Sequence, residues 1–574
     1  MSVGIVGKSI KRREDPRLIT GEAKYLNDIQ LSGMLHAAIL RSPYAHARIK
    51  SIDTSAAAAV PGVKAVFTGQ DFADLPILPC AWQAGGVQNN VNSPRVLEID
   101  HVAHTGAGVA VVVAETRYIA EDAVRLIRVE YEPLPVVIDM EAAVADGAHQ
   151  IHENAPNNIC MDWSCGDAAA TDQALQQAYV VIKHHIVNQR LLPTPMETRG
   201  CVAQYLPAQE EYTVWLSSQT PHIMRLLMTA FIFGIPETKM RVISPQVGGG
   251  FGSKISLYPE YCLIVALSRK VGAPIKWIET RSENYVATSH GRDHVTEVEI
   301  GAKRDGTITA LKVDTLANLG GVLATIGPGV PTTLYGRMVS GPYAIENIYC
   351  RVRGIYTNTG MVDAYRGAGR PEATYLVERA ADLVAKELGL DVVDVRRKNF
   401  IPNDAFPYDP KILRGLKYDS GNYEGALDLA LNMLDYQSFR AEQEQALQQG
   451  RYLGIGFSTY VEICGVAPSA WIGLPGEGWG AAMWESANVR VHLTGKVVVT
   501  VGTQSHGQGH ETSNAQVVAG ELGIPVEDII IQHSDTLGTP FGYGSYGSRS
   551  TAVGTVAVYH SLQKIKDKAK ALGA

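Results

Sequence analysis

The stretch Arg366-Gly-Ala-Gly-Arg-Pro371 joins a glycine-rich loop to a predicted helix. Apolar residues recur at helical spacing from Leu376 to Leu388, and Gly389 follows the last of them. Proline favours the first helical position, and glycine favours the position just after the last turn. The pattern therefore predicts a helix that begins at Pro371 and stops at Gly389.

The same arrangement of a glycine- or serine-rich loop before a predicted helix occurs three more times. Helix N-termini present unpaired N–H groups, and glycine lets a ligand approach the backbone closely. A single loop of this kind is most simply a tight turn, whereas four of them favour one large polyanionic cofactor. The other three loops are Gly248-Gly-Gly-Phe-Gly-Ser-Lys254, Gly507-Gln-Gly-His-Glu-Thr512 and Gly547-Ser-Arg-Ser-Thr551.

The loops do not complete the common nucleotide fingerprints. Ser253 stands where the second glycine of a Walker A loop should precede Lys254. The glycines from 248 to 252 and from 507 to 509 do not complete G-x-G-x-x-G. The predicted ligand bears phosphate but is neither a Walker-site ATP nor a Rossmann NAD.

Short strands and helices alternate around the loops and predict an α+β fold of roughly three domains. We predict boundaries at 1–140, 141–400 and 401–574, where polar stretches rich in Gly, Asn, Pro and Asp separate the apolar segments. The clearest local predictions are a strand at 109–114, a helix at 119–127, a hairpin turning at Asp305-Gly306 and another turning about Gly495.

Composition narrows the class of ligand. The 574 residues are 46% apolar and 19% charged, with a net charge of −7 and no massed basic patch, which argues against nucleic acid and favours a small-molecule substrate. We find neither a signal-peptide pattern nor an apolar run long enough for a membrane span, so a cytoplasmic protein is expected. The seven scattered cysteines form no C-x-x-C pair and are predicted to be buried, reduced thiols rather than zinc or iron–sulfur ligands.

Five motifs in order resemble the molybdenum hydroxylases, the xanthine dehydrogenase and aldehyde oxidase family. The resemblance implies an N-terminal α/β hammerhead domain followed by two molybdopterin-binding α+β domains, the last one truncated. The five motifs are Ser218-Gln219 with Pro221-His222, the 248–254 loop, Ala364-Tyr-Arg-Gly-Ala-Gly-Arg-Pro-Glu372, and the 507–512 and 547–552 loops. Ahead of them, Arg41-Ser-Pro-Tyr-Ala-His-Ala47 resembles part of the hammerhead domain.

The resemblance also implies a cofactor and its site. Molybdenum is expected in a pyranopterin dithiolene, as molybdopterin cytosine dinucleotide, with no protein side chain on the metal. Gln219 and Arg366 are the expected catalytic residues, and Gly252 is expected so close to the metal's oxo group that no side chain fits. The expected cofactor-binding residues are Gly249, Gly250, Phe251, Gly252, Tyr365, Gly367, Gln508, Gly509, His510, Ser548, Arg549, Ser550 and Thr551.

Several of these residues have ordinary structural explanations. Arg366 could be a surface or ion-pair arginine, His510 a helix-start histidine, and Ser548 and Ser550 helix caps. Glu197 resembles part of a recurring family segment, but a structural salt bridge with Arg199 or another residue is the expected role.

Three departures from the family narrow the substrate. Gly367 stands where carbon monoxide dehydrogenases carry the copper-binding cysteine. Ile255 and Leu334 replace the glutamate and arginine that orient purines. Ala368 replaces a bulky phenylalanine, which predicts a roomier pocket.

The expected reaction is oxidation of an aldehyde or an N-heterocyclic carbon, with water as oxygen source. Electrons are expected to leave through an iron–sulfur small subunit with two-iron two-sulfur clusters and an FAD medium subunit, in a dimer of heterotrimers. The alternatives are an aerobic carbon monoxide dehydrogenase large chain and a non-catalytic protein that holds or assembles the cofactor. The family's general base, a glutamate in a Gly-x-Gly-Glu segment, is expected beyond Ala574, so the chain alone is expected to be inactive.

Overall fold

The computed structural model describes residues 4–413, 416–466, 473–474, 477–478 and 483–573. Helices and strands are mixed throughout, which confirms the α+β class. The helices are α1 (Asp15–Ile19), α2 (Ser55–Ala58), α3 (Arg117–Val124), α4 (Met140–Ala143), α5 (Ala168–Gln176), α6 (Pro221–Leu227), α7 (Pro259–Val271), α8 (Arg281–Ala287), α9 (Arg370–Leu388), α10 (Val392–Asn399), α11 (Tyr423–Leu434), α12 (Tyr436–Gln448), α13 (His510–Leu522) and α14 (Val556–Gly573).

In the described ranges, the strands fall into five sheets. The order along the chain is β1 (Leu35–Arg41), β2 (Ala47–Asp53), β3 (Val63–Thr68), β4 (His101–Val102), β5 (Gly108–Ala114), β6 (Arg128–Pro133), β7 (Ile159–Gly166), β8 (Val180–Asn188), β9 (Gly200–Leu206), β10 (Glu211–Leu216), β11 (Met240–Ile243), β12 (Ile275–Ile278), β13 (His294–Ala302), β14 (Ile308–Gly320), β15 (Asn347–Tyr356), β16 (Gly473–Leu474), β17 (Glu477–Gly478), β18 (Ala487–Val491), β19 (Val497–Val501) and β20 (Ile529–Gln532).

The largest sheet joins the N-terminal region to the next segment of the chain. Its seven strands run in the order β11-β10-β9-β12-β1-β5-β3. β1 pairs antiparallel with β5 and parallel with β12, where Leu35 lies opposite Ile275. Val111 and Val113 of β5 belong to the same core as α7. The predicted segments 1–140 and 141–400 therefore share one sheet and one core.

A second sheet carries the helix that the sequence predicts most clearly. Its order is β7-β15-β14-β13-β8, and the β13–β14 hairpin turns at Asp305-Gly306 as predicted. α9 buries Leu376, Ala380 and Val384 in the core of this unit. Gly369 precedes the helix and Gly389 ends it, which confirms the prediction to within one residue.

The C-terminal unit is a small sheet covered by two helices. β18, β19 and β20 form the sheet, the β18–β19 hairpin turns about Gly495 as predicted, and α13 and α14 complete its core. Ile5 and Ile10, from the beginning of the chain, pack against this core. The first described residues therefore lie against the last unit of the fold.

A buried charge cluster ties β1, α7 and the ends of β9 and β12 together. The Arg199 guanidinium lies 3.0 Å from a Glu260 carboxylate oxygen and 2.5 Å from one of Glu279. Arg41 of β1 reaches Glu260 at 2.6 Å, and the Tyr258 ring lies under Arg199 at 3.8 Å. Burial alone would raise the pKa of Glu260, but the two guanidinium groups lower it to about 2.

All seven cysteines are free, and six are buried as predicted. Cys464 is the exception. It is exposed at the start of a short turn, whereas the next two residues of that turn are buried. Burial raises the pKa of Cys160 to about 12, so that thiol stays protonated. In the part of the chain that the structure describes, no helix is both long and apolar enough to cross a bilayer.

Candidate active site

A cavity of about 400 Å³ lies where three of the four predicted loops converge. Residues from the 248–254, 366–371 and 547–551 loops line it, together with Gln219. The rest of the wall is largely apolar and includes Trp82, Ile223, Ile326, Val466 and Met483. A largely apolar cavity with a few convergent polar groups is the usual form of a small-molecule site.

Gln219 links the 248–254 loop to Ser545, which precedes the 547–551 loop, from a buried position just ahead of α6. Its side-chain Oε1 accepts a hydrogen bond of 2.9 Å from the Gly252 N–H. Its Nε2 donates to the Ser545 carbonyl, also at 2.9 Å. Gln219 is 2% exposed, and its side chain donates one hydrogen bond to the backbone and accepts one from it. Gln219 therefore fixes the position of the Phe251-Gly252 turn in the cavity wall.

The Phe251-Gly252 turn lies against the 366–371 loop and the residues just before it. Both residues have positive φ, 56° and 106°. The Arg366 N–H donates to the Phe251 carbonyl at 2.8 Å, and a Cβ built on Gly252 would lie 2.2 Å from the Ala364 carbonyl oxygen. Glycine was expected here because of the metal, whereas backbone atoms next to the 366–371 loop already exclude a side chain.

The 366–371 loop presents Arg366 to the cavity. Arg292 donates to the carbonyls of Tyr365 and Arg366 at 2.8 and 2.6 Å and lies over the Tyr365 ring. The Arg366 side chain is exposed and lines the cavity, and we find no carboxylate within ion-pair distance of it among the described residues. A Cβ on Gly367 would lie 2.3 Å from Pro371 Cγ.

The 248–254 loop differs from its prediction in two ways. The helix α7 begins only at Pro259, because four residues after Lys254 continue in a turn and a bend. Lys254 is fully buried and forms a 2.9 Å ion pair with Glu197, so its charge is neutralised inside the protein. The salt bridge expected of Glu197 is thus with Lys254, while Arg199 has other partners.

In the 547–551 loop, the arginine pairs with groups inside the protein and does not face the cavity. Arg549 is fully buried, ion-paired with Glu485, and donates to the Gly544 carbonyl at 2.8 Å. Ser550 donates to the Ser545 hydroxyl, and Ser548 is exposed at a positive φ of 55° in the cavity wall. Arg549 therefore holds the shape of the loop, while Gly547 and Ser548 line the cavity. Thr551 is exposed outside the cavity lining.

His506 is a cavity residue that the sequence analysis missed. It directly precedes the 507–512 loop, and its Nε2 accepts from the Gln508 amide at 2.6 Å. Burial lowers the pKa of His506 to about 3 and that of His510 to about 4, so both rings are neutral near pH 7. Only its position beside a glycine-rich loop could have singled out His506 in the sequence.

The 507–512 loop fits a polar ligand. The Nδ1 atoms of His506 and His510 and the Oε1 atom of Glu14 are buried with no hydrogen-bond partner, and all three belong to or border this loop. Buried polar groups are normally paired, so three unpaired atoms around one loop indicate contacts left for a ligand. A Cβ on Gly507 would meet nothing within 4 Å, which leaves open space there. Of the expected cofactor residues in this loop, Gln508 is exposed and Gly509 is buried.

Family models match most of the chain. A molybdopterin cofactor-binding domain matches residues 151–400, a second such domain matches 429–574, and the aldehyde oxidase and xanthine dehydrogenase a/b hammerhead domain matches 20–135. The carbon monoxide dehydrogenase large chain of Hydrogenophaga pseudoflava is 40% identical to 98% of this chain, which spans 70% of that protein. The chain belongs to the molybdenum hydroxylase large subunits.

Other members of the family agree with this assignment. The nicotine 6-hydroxylase large subunit of Paenarthrobacter nicotinovorans is 33% identical over 99% of this chain and 69% of its own length. The crystal structure of quinoline 2-oxidoreductase from Pseudomonas putida 86 superposes with a TM-score of 0.91 at 35% identity, over 98% of this chain and 70% of that one. The predicted family, fold class and molybdenum-dependent oxidoreductase activity are confirmed. The predicted domain boundaries and site residues stay predictions.

Proposed function

We propose that this molybdenum hydroxylase subunit oxidises an aldehyde or an electrophilic carbon of a neutral N-heterocycle, with water as oxygen source. The observation that carries this proposal is the apolar cavity wall, in which Ile255, Leu334 and Ala368 all take part. Charged side chains that would orient a polar purine are absent from positions 255 and 334. The wall therefore favours a substrate whose ring or chain is mainly apolar.

The proposed cofactor is the cytosine dinucleotide form of molybdopterin. When bound, the molybdenum centre supplies a two-electron acceptor and activates water for attack on the substrate carbon. Gln219 fixes the Phe251-Gly252 turn, and Arg366 and Ser548 offer side-chain donors to the cavity. Support for the dinucleotide comes from the extra polar contacts open at the 507–512 loop, where phosphates would meet a helix N-terminus. The remaining expected contacts, apart from Arg549 with its internal ion pair, are proposed on the family resemblance.

We propose further that electrons leave through an iron–sulfur small subunit and an FAD medium subunit, in a dimer of heterotrimers. This rests on the relatives, of which one is called a large chain, another a large subunit and a third the gamma subunit of a dehydrogenase complex. The expected inactivity of the chain alone stays a prediction.

Carbon monoxide oxidation is the second candidate, because carbon monoxide dehydrogenase large chains are 40% identical to this chain. The local geometry argues against a copper thiolate at position 367. Gly367 has a φ of 101°, and any Cβ there would clash with Pro371. Among the described residues, the cavity lining includes no cysteine.

One experiment separates these functions. The native complex is purified, its molybdenum, pterin and copper are measured, and dye reduction is followed with aromatic aldehydes, N-heterocycles and carbon monoxide. We expect molybdenum and pterin without copper, and reduction by at least one aldehyde or heterocycle. Copper with carbon monoxide oxidation would establish the second candidate. A loaded complex that no substrate reduces would establish a non-catalytic cofactor-holding protein.

Arg366→Ala tests the role of the exposed cavity arginine. We expect kcat/KM to fall at least about tenfold, as for loss of one charge-assisted contact in the active site. The free energy of unfolding should change by less than about 0.5 kcal/mol, since the side chain is exposed. Arg48→Ala, at an exposed arginine of β2, is the matched control and should affect neither quantity. A destabilised but fully active Arg366 variant would show that this arginine is structural.

A further inference from the structure

Residues 5–17, here called the N-terminal clasp, lie against the first two turns of α13. The hammerhead match begins only at residue 20, so it assigns no role to this segment. Ile5 and Ile10 anchor the clasp in the C-terminal core. The Gln516 side-chain amide donates to the carbonyls of Ile5 and Lys8 at 3.1 and 2.9 Å. The clasp is thus fixed to α13 by both apolar and polar contacts.

The clasp also bonds both ends of the 507–512 loop. Arg12 donates to the Gly507 carbonyl at 2.8 Å. At the other end, the Arg13 N–H donates to the Thr512 hydroxyl at 2.9 Å, and that hydroxyl donates to Glu14 at 2.5 Å. These contacts come from the consecutive residues Arg12, Arg13 and Glu14, which therefore act as one unit.

An ion pair continues the contact along the helix. Arg17 approaches both carboxylate oxygens of Glu511, one of them at 2.9 Å, in the bidentate geometry of strong guanidinium–carboxylate pairs. His533 lies 3.2 Å from the same carboxylate. Burial would raise the pKa of Glu511, but His533 and Arg17 lower it to about 2. Glu511 therefore stays charged throughout the neutral range, and the pair persists with it.

The loop needs external support to keep its shape. Gly507 and Gly509 both have positive φ, 107° and 81°, and glycine in this region is conformationally free. A Cβ on Gly507 would meet nothing within 4 Å, whereas one on Gly509 would lie 3.4 Å from Arg12 and 3.6 Å from Glu14. The clasp is therefore the nearest neighbour of the loop at Gly509.

We infer that the N-terminal clasp is a positioning device that holds the 507–512 loop in its cofactor-binding shape, for a ligand that bears phosphate. This inference rests on the proposed function. Within the clasp, Lys8, Lys11, Arg12 and Arg13 outnumber Glu14 and Asp15 even though Arg12 is paired with Asp15, which favours an anionic ligand nearby. The clasp residues act through the loop, so their loss should loosen the cofactor without altering the substrate cavity.

Cofactor retention in the native complex tests this role. Arg17→Ala and Thr512→Val remove different clasp contacts, Arg17→Lys keeps the charge without the bidentate geometry, and Arg440→Ala on the exposed face of α12 is the control. Molybdenum and pterin per chain and their release rate are measured, beside the thermal unfolding of each variant. We expect release about tenfold faster for Arg17→Ala and Thr512→Val, partial rescue by lysine, and unfolding midpoints equal to the control.

Three outcomes would overturn the inference. Variants that keep the cofactor as firmly as Arg440→Ala would show that the loop holds its shape unaided. Cofactor loss matched by an equally lowered unfolding midpoint would show general destabilisation instead of positioning. An unsubstituted complex that contains no molybdenum or pterin would defeat the proposed function itself, and the clasp role with it.

Discussion

Arg199→Ala is expected to lower the free energy of unfolding by about 3–5 kcal/mol, because it leaves buried carboxylates without their counter-charge. The Arg199 and Glu279 side chains have no exposed surface, and that of Glu260 is 4% exposed. Glu260 would keep Arg41, but Glu279 would lose the guanidinium that lies 2.5 Å away. The substitution also removes the cation over the Tyr258 ring and leaves a cavity.

Chemical denaturation measures this effect, and Arg397→Ala supplies a matched control. Arg397 also pairs with two carboxylates, Glu424 and Asp428, but its side chain is 32% exposed. Exposed pairs contribute little, so this control should lose no more than about 1 kcal/mol. Equal losses in the two variants would contradict the view that burial makes the Arg199 cluster important.

The same cluster predicts how stability depends on pH. The pKa of Glu260 is lowered from 4.5 to about 2. A carboxyl with a lowered pKa in the folded state stabilises the fold above its unfolded pKa, and that contribution disappears as pH falls from about 4.5 to about 2. We therefore expect a steep loss of stability over this range in the unsubstituted protein, and a shallower one in Arg199→Ala. Parallel curves would contradict the assignment to Glu260.

Gly252→Ala should reduce turnover at least about 10²-fold, the cost expected when reacting groups are displaced by about 1 Å. The added Cβ would lie 2.2 Å from the Ala364 carbonyl oxygen, and backbone cannot give way as a flexible side chain does. The φ of 106° adds strain for any L-residue. Both loops would move apart, and with them the Gln219 bond and the cavity wall.

Gly272→Ala is a control that has the strain of a positive φ but no steric clash of the added Cβ. Gly272 also has a positive φ, 73°, but a Cβ there meets nothing within 4 Å and the residue ends α7 away from the cavity. We expect this control to lose a little stability and no turnover. Steady-state kinetics and molybdenum content are measured for both variants. A Gly252→Ala protein that is loaded and fully active would show that the two loops have room to spare.

Local patterns were sufficient to predict the parts of the fold that depend on near neighbours. The limits of α9 follow from Gly369, Pro371 and Gly389, and the hairpin at Asp305-Gly306 follows from its turn residues. The convergence of three loops on one cavity also agrees with the expectation of a single ligand. These predictions succeeded because backbone preference and hydrophobic period act within a few residues.

The sequence could not show which charged residues form ion pairs inside the protein and so do not contact a ligand. Lys254 and Arg549 look like ligand-binding cations, yet each is neutralised by a carboxylate that is distant in sequence, Glu197 and Glu485. His506 carries no pattern of its own. Partner choice at such distances depends on how whole units pack, and a single sequence does not encode it in any short motif.

The bond between Gln219 and Ser545 has a consequence for how the subunit is made. The two residues are 326 positions apart. Ribosomes add about 5–20 residues per second, so the glutamine emerges about 16 to 65 s before its acceptor. Throughout that interval the pocket lacks a wall. We therefore expect loading to follow synthesis, so that each newly made chain passes through a period as an empty, partly open protein.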